Sequence, residues 1–93
     1  MPATINLESK FAVPPQVMSR LVGDETVLMD LSTGIYFGLD GVGKRIWESI
    51  GDGLTLGETA AAVVSEYEVD ESQAQADVVE FARDLVERGL LAE

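Results

Sequence analysis

The sequence contains neither cysteine nor histidine. Without cysteine there is no disulfide, no thiolate nucleophile and no thiolate metal ligand. Without histidine, the side chain that titrates near neutrality and supplies most zinc ligands and general bases is missing too. Catalysis and metal binding therefore lack their commonest parts, and no catalytic residue, metal site or cofactor is expected. Basic residues are scarce: six Lys and Arg stand against 17 Asp and Glu, a formal net charge of -11. That balance repels nucleic-acid phosphates and anionic membrane surfaces. It suits a cationic or neutral partner, or a surface charged for solubility alone. Long apolar runs are lacking as well. No stretch approaches the roughly 20 residues of a bilayer-spanning helix, and Met1 to Lys10 lacks the basic-then-apolar layout of a signal peptide, so a cytoplasmic protein is expected.

What is present is the balance of a folded domain: 93 residues, 46% hydrophobic and 25% charged, enough for one core. Residues 1–16 carry Pro14-Pro15 and show no sustained period, so they read as an N-terminal arm or lead-in strand ahead of a domain over 17–93. Three short runs of strand-like composition follow: Val17 to Val22, Thr26 to Leu31 and Ile35 to Leu39. Gly23-Asp24 and Ser32-Thr33-Gly34 punctuate them, which predicts a three-stranded antiparallel meander. Period-two alternation groups Val27, Met29 and Leu31 on one face of the middle strand, and Ile35, Phe37 and Leu39 on one face of the third.

After Leu39 the period changes to about 3.6 residues. A first helix can start at Asp40 as N-cap, bury Val42, Ile46, Trp47 and Ile50, and stop at Gly51 and Gly53. A second carries the capping box Thr55-Leu56-Gly57-Glu58 and buries Leu56, Ala60, Val63 and Tyr67. The third runs from near Asp70 to Arg88, with Gly89 as left-handed terminator, after which Leu90 and Leu91 fold back on the core. Three strands followed by three helices predict an α+β, winged-helix-like domain.

The third helix is more apolar than one packing contact requires. Ala74, Val78, Phe81 and Leu85 form one stripe, and Gln75, Val79, Ala82 and Val86 a second beside it. The second stripe is either wedged against another element or left as the wall of a groove. The third strand, Ile35-Tyr36-Phe37-Gly38-Leu39, is an edge of the meander and carries none of the lysine, proline or inward charge that protects edges. An unprotected apolar edge beside a spare helical stripe suits the addition of an extended peptide as an extra strand. The alternatives are that the N-terminal arm covers the edge, or that a second copy does.

Three other readings fare worse. Gly38 to Lys44 has the glycine and lysine spacing of a phosphate-binding loop, but Arg45 stands where a magnesium-binding Ser or Thr is needed, and the chain is too short for the parallel sheet. A DNA-reading helix-turn-helix is opposed by charge, since Arg83 and Arg88 are the only basic residues of an acidic third helix. An acyl carrier needs an exposed serine after Asp at a helix start, and Asp30-Leu31-Ser32 lies in a hairpin turn.

The run Ser32-Thr33-Gly34-Ile35-Tyr36-Phe37-Gly38-Leu39-Asp40, then Gly43-Lys44-Arg45-Ile46-Trp47, with Val78, Phe81, Leu85 and Arg88-Gly89-Leu90-Leu91, resembles the family of the pyrroloquinoline quinone synthesis peptide chaperone. Within it the wording is most similar to the stand-alone precursor-peptide recognition elements of lasso peptide pathways. The resemblance covers nearly all of the chain after Val17. It implies a winged-helix-like fold without catalysis that pairs a leader peptide antiparallel to the third strand and holds its side chains against the third helix. Ile35, Tyr36, Phe37 and Gly38 would then supply main-chain pairing and one wall, and Val79, Ala82 and Val86, with Val78, the other. Asp77 and Glu80 could steer a basic leader. The partners implied are a precursor leader peptide, a leader-cleaving cysteine protease and an ATP-dependent lasso cyclase. The alternatives are a peptide chaperone of pyrroloquinoline quinone biosynthesis, an acidic winged-helix regulator and a dimerisation module.

Overall fold

The computed structural model describes residues 5–39 and 41–92. Three strands, β1 (Val17–Val22), β2 (Glu25–Asp30) and β3 (Ile35–Leu39), precede three helices, α1 (Gly41–Gly51), α2 (Leu56–Glu66) and α3 (Glu71–Glu87). The α+β order and the meander β1-β2-β3 are as the sequence predicts, with both neighbouring pairs antiparallel. Asp40, expected to cap α1, lies outside the described residues.

The hairpins follow from their turn residues. Gly23 adopts φ 62° at the first turn position between β1 and β2, where a left-handed residue matches the right-handed twist of the strands. Between β2 and β3, the Asp30 carboxylate accepts bonds from the Ser32 N–H (2.9 Å), the Ser32 hydroxyl (2.6 Å) and the Thr33 N–H (3.3 Å). These donors hold its pKa below the ordinary carboxylate value, the Ser32 hydroxyl contributing most.

The pairing fixes which strand face is the core. Leu28, fully buried, pairs with Phe37 and with Ser19, while Thr26 pairs with Leu39. Thr26, Leu28, Asp30, Phe37 and Leu39 therefore point inward. Val27 and Met29 share the opposite, outer face, and Leu31 falls beyond the strand, exposed in the turn.

The helices pack Ile46, Trp47 and Ile50 of α1, Leu56, Ala60 and Val63 of α2, and Ala74, Val78, Ala82 and Leu85 of α3 into one core. Thr55 caps α2 with the expected reciprocal bonds: the Glu58 N–H donates to the Thr55 hydroxyl (3.1 Å), and the Thr55 N–H donates to the Glu58 carboxylate (2.8 Å). Tyr67, expected in the core, is instead the C-cap of α2, where the backbone has left the helical conformation (φ -131°, ψ 153°), and is exposed. Gly89 ends α3 at φ 76°, and Leu90 and Leu91 are buried as expected.

The described part of the arm is bound to the helical half. Ala12 and Ala92 exchange main-chain bonds of 2.7 and 2.9 Å, and Phe11 is buried. The first turn of α2 donates to the arm, Leu56 N–H to the Ser9 carbonyl (3.0 Å) and Gly57 N–H to the Leu7 carbonyl (2.7 Å), satisfying donors a helix start leaves unpaired. A Cβ at position 57 would lie 3.0 Å from that Leu7 oxygen, so glycine there admits the arm. Among the described residues no helix is long and apolar enough to cross a membrane.

Candidate functional site

The sheet order leaves two edges, β1 and β3. Which main-chain groups face outward follows from one bond: the Leu31 N–H donates to the Gln16 carbonyl at 2.8 Å, in register with the β1–β2 ladder. Antiparallel pairs alternate between bonded and non-bonded. Glu25, Val27 and Met29 therefore turn their main-chain groups toward β1, and Thr26, Leu28 and Asp30 turn theirs toward β3. On β3 this commits Ile35, Phe37 and Leu39 to β2. Tyr36 and Gly38 then present their N–H and C=O groups to the free edge. Their side-chain positions lie on the outer sheet face, whereas Phe37 points inward.

This edge is open among the described residues. The arm, one candidate to cover it, bonds to Ala92 and α2 instead. Ile35 and Tyr36 are 53% and 66% exposed, Gly38 is exposed and Phe37 half-buried, so all four strand positions expected to bind peptide can be reached.

The residues expected to form the helical wall differ in exposure. Val78 and Ala82 are both 0% exposed, whereas Val79 and Val86 are half-buried. The physical reason is that the core seam of α3 runs through Ala74, Val78, Ala82 and Leu85, taking members of both apolar stripes. Successive helical residues turn by about 100°, so a seam centred there leaves Phe81 on one flank and Val79 and Val86 on the other. The Val79 flank is lined by Leu7 of the arm together with Gln75 and Arg83, away from β3. The flank that meets β3 is Phe81's. Its Cε2 lies 3.4 Å from where a Cβ at position 43 would be, beside Leu39, and on the same flank the Arg88 guanidinium stands 4.8 Å above the Phe37 ring.

Where α3 meets β3, Arg88 thus covers Phe37 and Phe81 lies beside Leu39. Arg88 is held by Asp84, its Nε donating to Oδ1 at 3.1 Å. From Phe81 the helix surface falls into a shallow depression of about 560 Å³ bordered by the carboxylates of Asp77, Glu80, Asp84 and Glu87 and by the Arg83 guanidinium. Asp77 accepts a bond from Gln73 Nε2 (2.8 Å) and stays exposed there. The sequence signal for this surface is the spacing of positions 77, 81, 84 and 88, which recurs at helical intervals. It was hidden because Phe81 counts equally well as core.

The phosphate-loop spacing is not realised as a loop: Gly38 lies in β3, and Gly41, Gly43 and Lys44 lie in α1. No cluster of acidic residues suited to a metal ion occurs among the described residues.

Comparison with known proteins gives a family and two structural relatives. The model of the family described as "Coenzyme PQQ synthesis protein D (PqqD)" matches residues 25–91. The solved structure "TbiB1 in Complex with the TbiA(beta) Leader Peptide" is 40% identical, with a TM-score of 0.81, covering 86% of this chain and 93% of that one. "Lasso peptide synthetase B1 complexed with the leader peptide" is 26% identical, with a TM-score of 0.86, covering 91% and 100%. No curated protein matches the chain.

Proposed function

The chain belongs to the family of coenzyme PQQ synthesis protein D, and from that premise we propose that it is a non-catalytic binder of the leader segment of a lasso peptide precursor. The observation that carries this reading is the open edge of β3, with Tyr36 and Gly38 offering main-chain groups and Phe37 facing Arg88 at the end of α3. A leader strand pairs antiparallel to β3. Its bonds to Tyr36 and Gly38 give affinity independent of side chains. Its residue opposite Phe37 sits in a non-bonded pair, where side chains approach most closely, and points into the space between Phe37, Phe81 and Arg88. That position gives selectivity. The protein then presents the bound precursor to two separate enzymes, a leader-cleaving cysteine protease and an ATP-dependent lasso cyclase.

The lasso assignment rests on the two structural relatives, both complexes with leader peptides in which a lasso synthetase component or TbiB1 is the binder. A peptide chaperone of the quinone-cofactor pathway is the second reading, favoured by the family description. Calorimetric titration with a synthetic TbiA(beta) leader peptide tests the proposal. Saturable binding at micromolar or tighter affinity is expected. No binding to this or other leader peptides, or duplex DNA binding with a steep salt dependence, would overturn it.

A further inference from the structure

On the outer face of the sheet, the free edge of β3 carries a notch. Tyr36 and Gly38 are the outward positions of β3, paired with Met29 and Val27 of β2. Tyr36 fills its position with a phenol that shares a hollow of about 510 Å³ with Met18, Val22, Val27, Met29 and Arg20, whose guanidinium is held two strands away from Gly38, on β1. Gly38 leaves its position empty. A Cβ there would lie 3.2 Å from Glu25 Oε2, so the Glu25 carboxylate reaches from the start of β2 across the face of Gly38. The ion pairs among the described residues are Arg45–Glu66 and Arg88–Asp84, which leaves Glu25 without one.

A strand added to β3 bonds through Tyr36 and Gly38. The residue it sets opposite Gly38 is in a hydrogen-bonded pair, with Cα atoms about 5.5 Å apart, and its side chain turns to the outer face. Nothing from Gly38 stands between that side chain and Glu25. We infer that Glu25, acting across the bare surface of Gly38, selects a lysine or arginine at that single register of the bound peptide. The inference rests on the proposal that β3 is the strand-adding edge, and adds a ligand preference to it. The next peptide residue points inward toward Phe37, and the one after it lies beside Tyr36 and Met29, where an apolar side chain is favoured. The ligand pattern is therefore a cationic residue, then two apolar ones facing opposite sides. The overall acidity of the chain, net -11, favours a cation there in the same direction.

The test is a calorimetric scan in which each position of a synthetic TbiA(beta) leader peptide is made Lys or Glu in turn. The peptides are titrated into the native protein, Glu25→Gln and Glu25→Lys, with Glu68→Lys making the same change of net charge in the α2–α3 connection. The native protein should prefer Lys over Glu at one outward position by about threefold, the size of a cross-strand charge pair. Glu25→Gln should erase that preference, Glu25→Lys reverse it, and Glu68→Lys leave it in place. If the peptide binds but no position changes its preference with residue 25, the inference is overturned while the strand-addition proposal stands. If no peptide binds the native protein, both fall. Glu25 is exposed, and circular dichroism of each variant confirms that the fold is retained.

Discussion

The Arg88 guanidinium stands 4.8 Å above the Phe37 ring while its Nε donates to Asp84. This contact ties the end of α3 to the one inward aromatic residue of the edge strand. Exposed cation–π contacts are worth about 0.5–1 kcal/mol. Arg88→Ala is expected to lower stability by no more than about that amount and to weaken leader binding about two- to fivefold. Urea unfolding and calorimetry on the same variant check both. Unchanged affinity would remove Arg88 from the site.

The outward main-chain groups can be tested by proline, which deletes an N–H. The Gly38 N–H faces the free edge, so Gly38→Pro should leave the β2–β3 ladder intact and reduce leader affinity about tenfold or more. Gly38→Ala controls for the added Cβ. The Phe37 N–H faces β2, so Phe37→Pro should destabilise the domain by about 2 kcal/mol or more. Thermal unfolding separates the two cases. Equal destabilisation by both prolines would contradict the assigned pairing.

The two flanks of α3 should differ in function. Phe81→Ala is expected to weaken leader binding about tenfold, whereas Val79→Ala, on the flank beside Leu7, should leave affinity within about twofold of native. Ala82→Asp places a carboxylate at a position with 0% exposure and no partner, and should unfold the domain rather than report on binding.

These contrasts also mark what was legible in the sequence. The strands, the turn glycines and the capping box of Thr55 and Glu58 are local features, set by residues near in the chain, and the structure has them where the pattern puts them except that β2 begins and ends one residue earlier, at Glu25 and Asp30. The edge status of β3 was legible because a meander has only two ends. Which α3 residues are sealed in the core was not, because Val78, Phe81, Ala82 and Val86 are all apolar. Which of them are sealed depends on the position of the core seam, a tertiary fact that helical periodicity leaves open. The role of the arm was hidden for a related reason: its bonds to α2 and Ala92 are made by main chain, which no side-chain pattern reports.

Two carboxyl groups link stability to pH. Asp30 is held below its ordinary value of 3.8, chiefly by the Ser32 hydroxyl, and Glu58 below its ordinary value of 4.5, chiefly by the Thr55 N–H. The unfolded chain therefore takes up protons at these sites before the folded one does. Their stabilisation is complete above the ordinary values and is lost as pH falls through the lowered folded-state values. Asp30→Asn and Glu58→Gln keep the shapes and remove the titrations. The double variant should show a shallower fall in melting temperature below about pH 4.5 than the native protein. Parallel curves would contradict the assigned bonds.

The most direct measurement of the central claim is amide hydrogen exchange, resolved by residue, with and without a synthetic TbiA(beta) leader peptide. Tyr36 and Gly38 should exchange fast in the free protein and become protected on binding. Phe37, already bonded to β2, should change far less. Protection appearing instead at Ser19 and Leu21 on the opposite edge, or at neither edge while the peptide is bound, would contradict strand addition at β3.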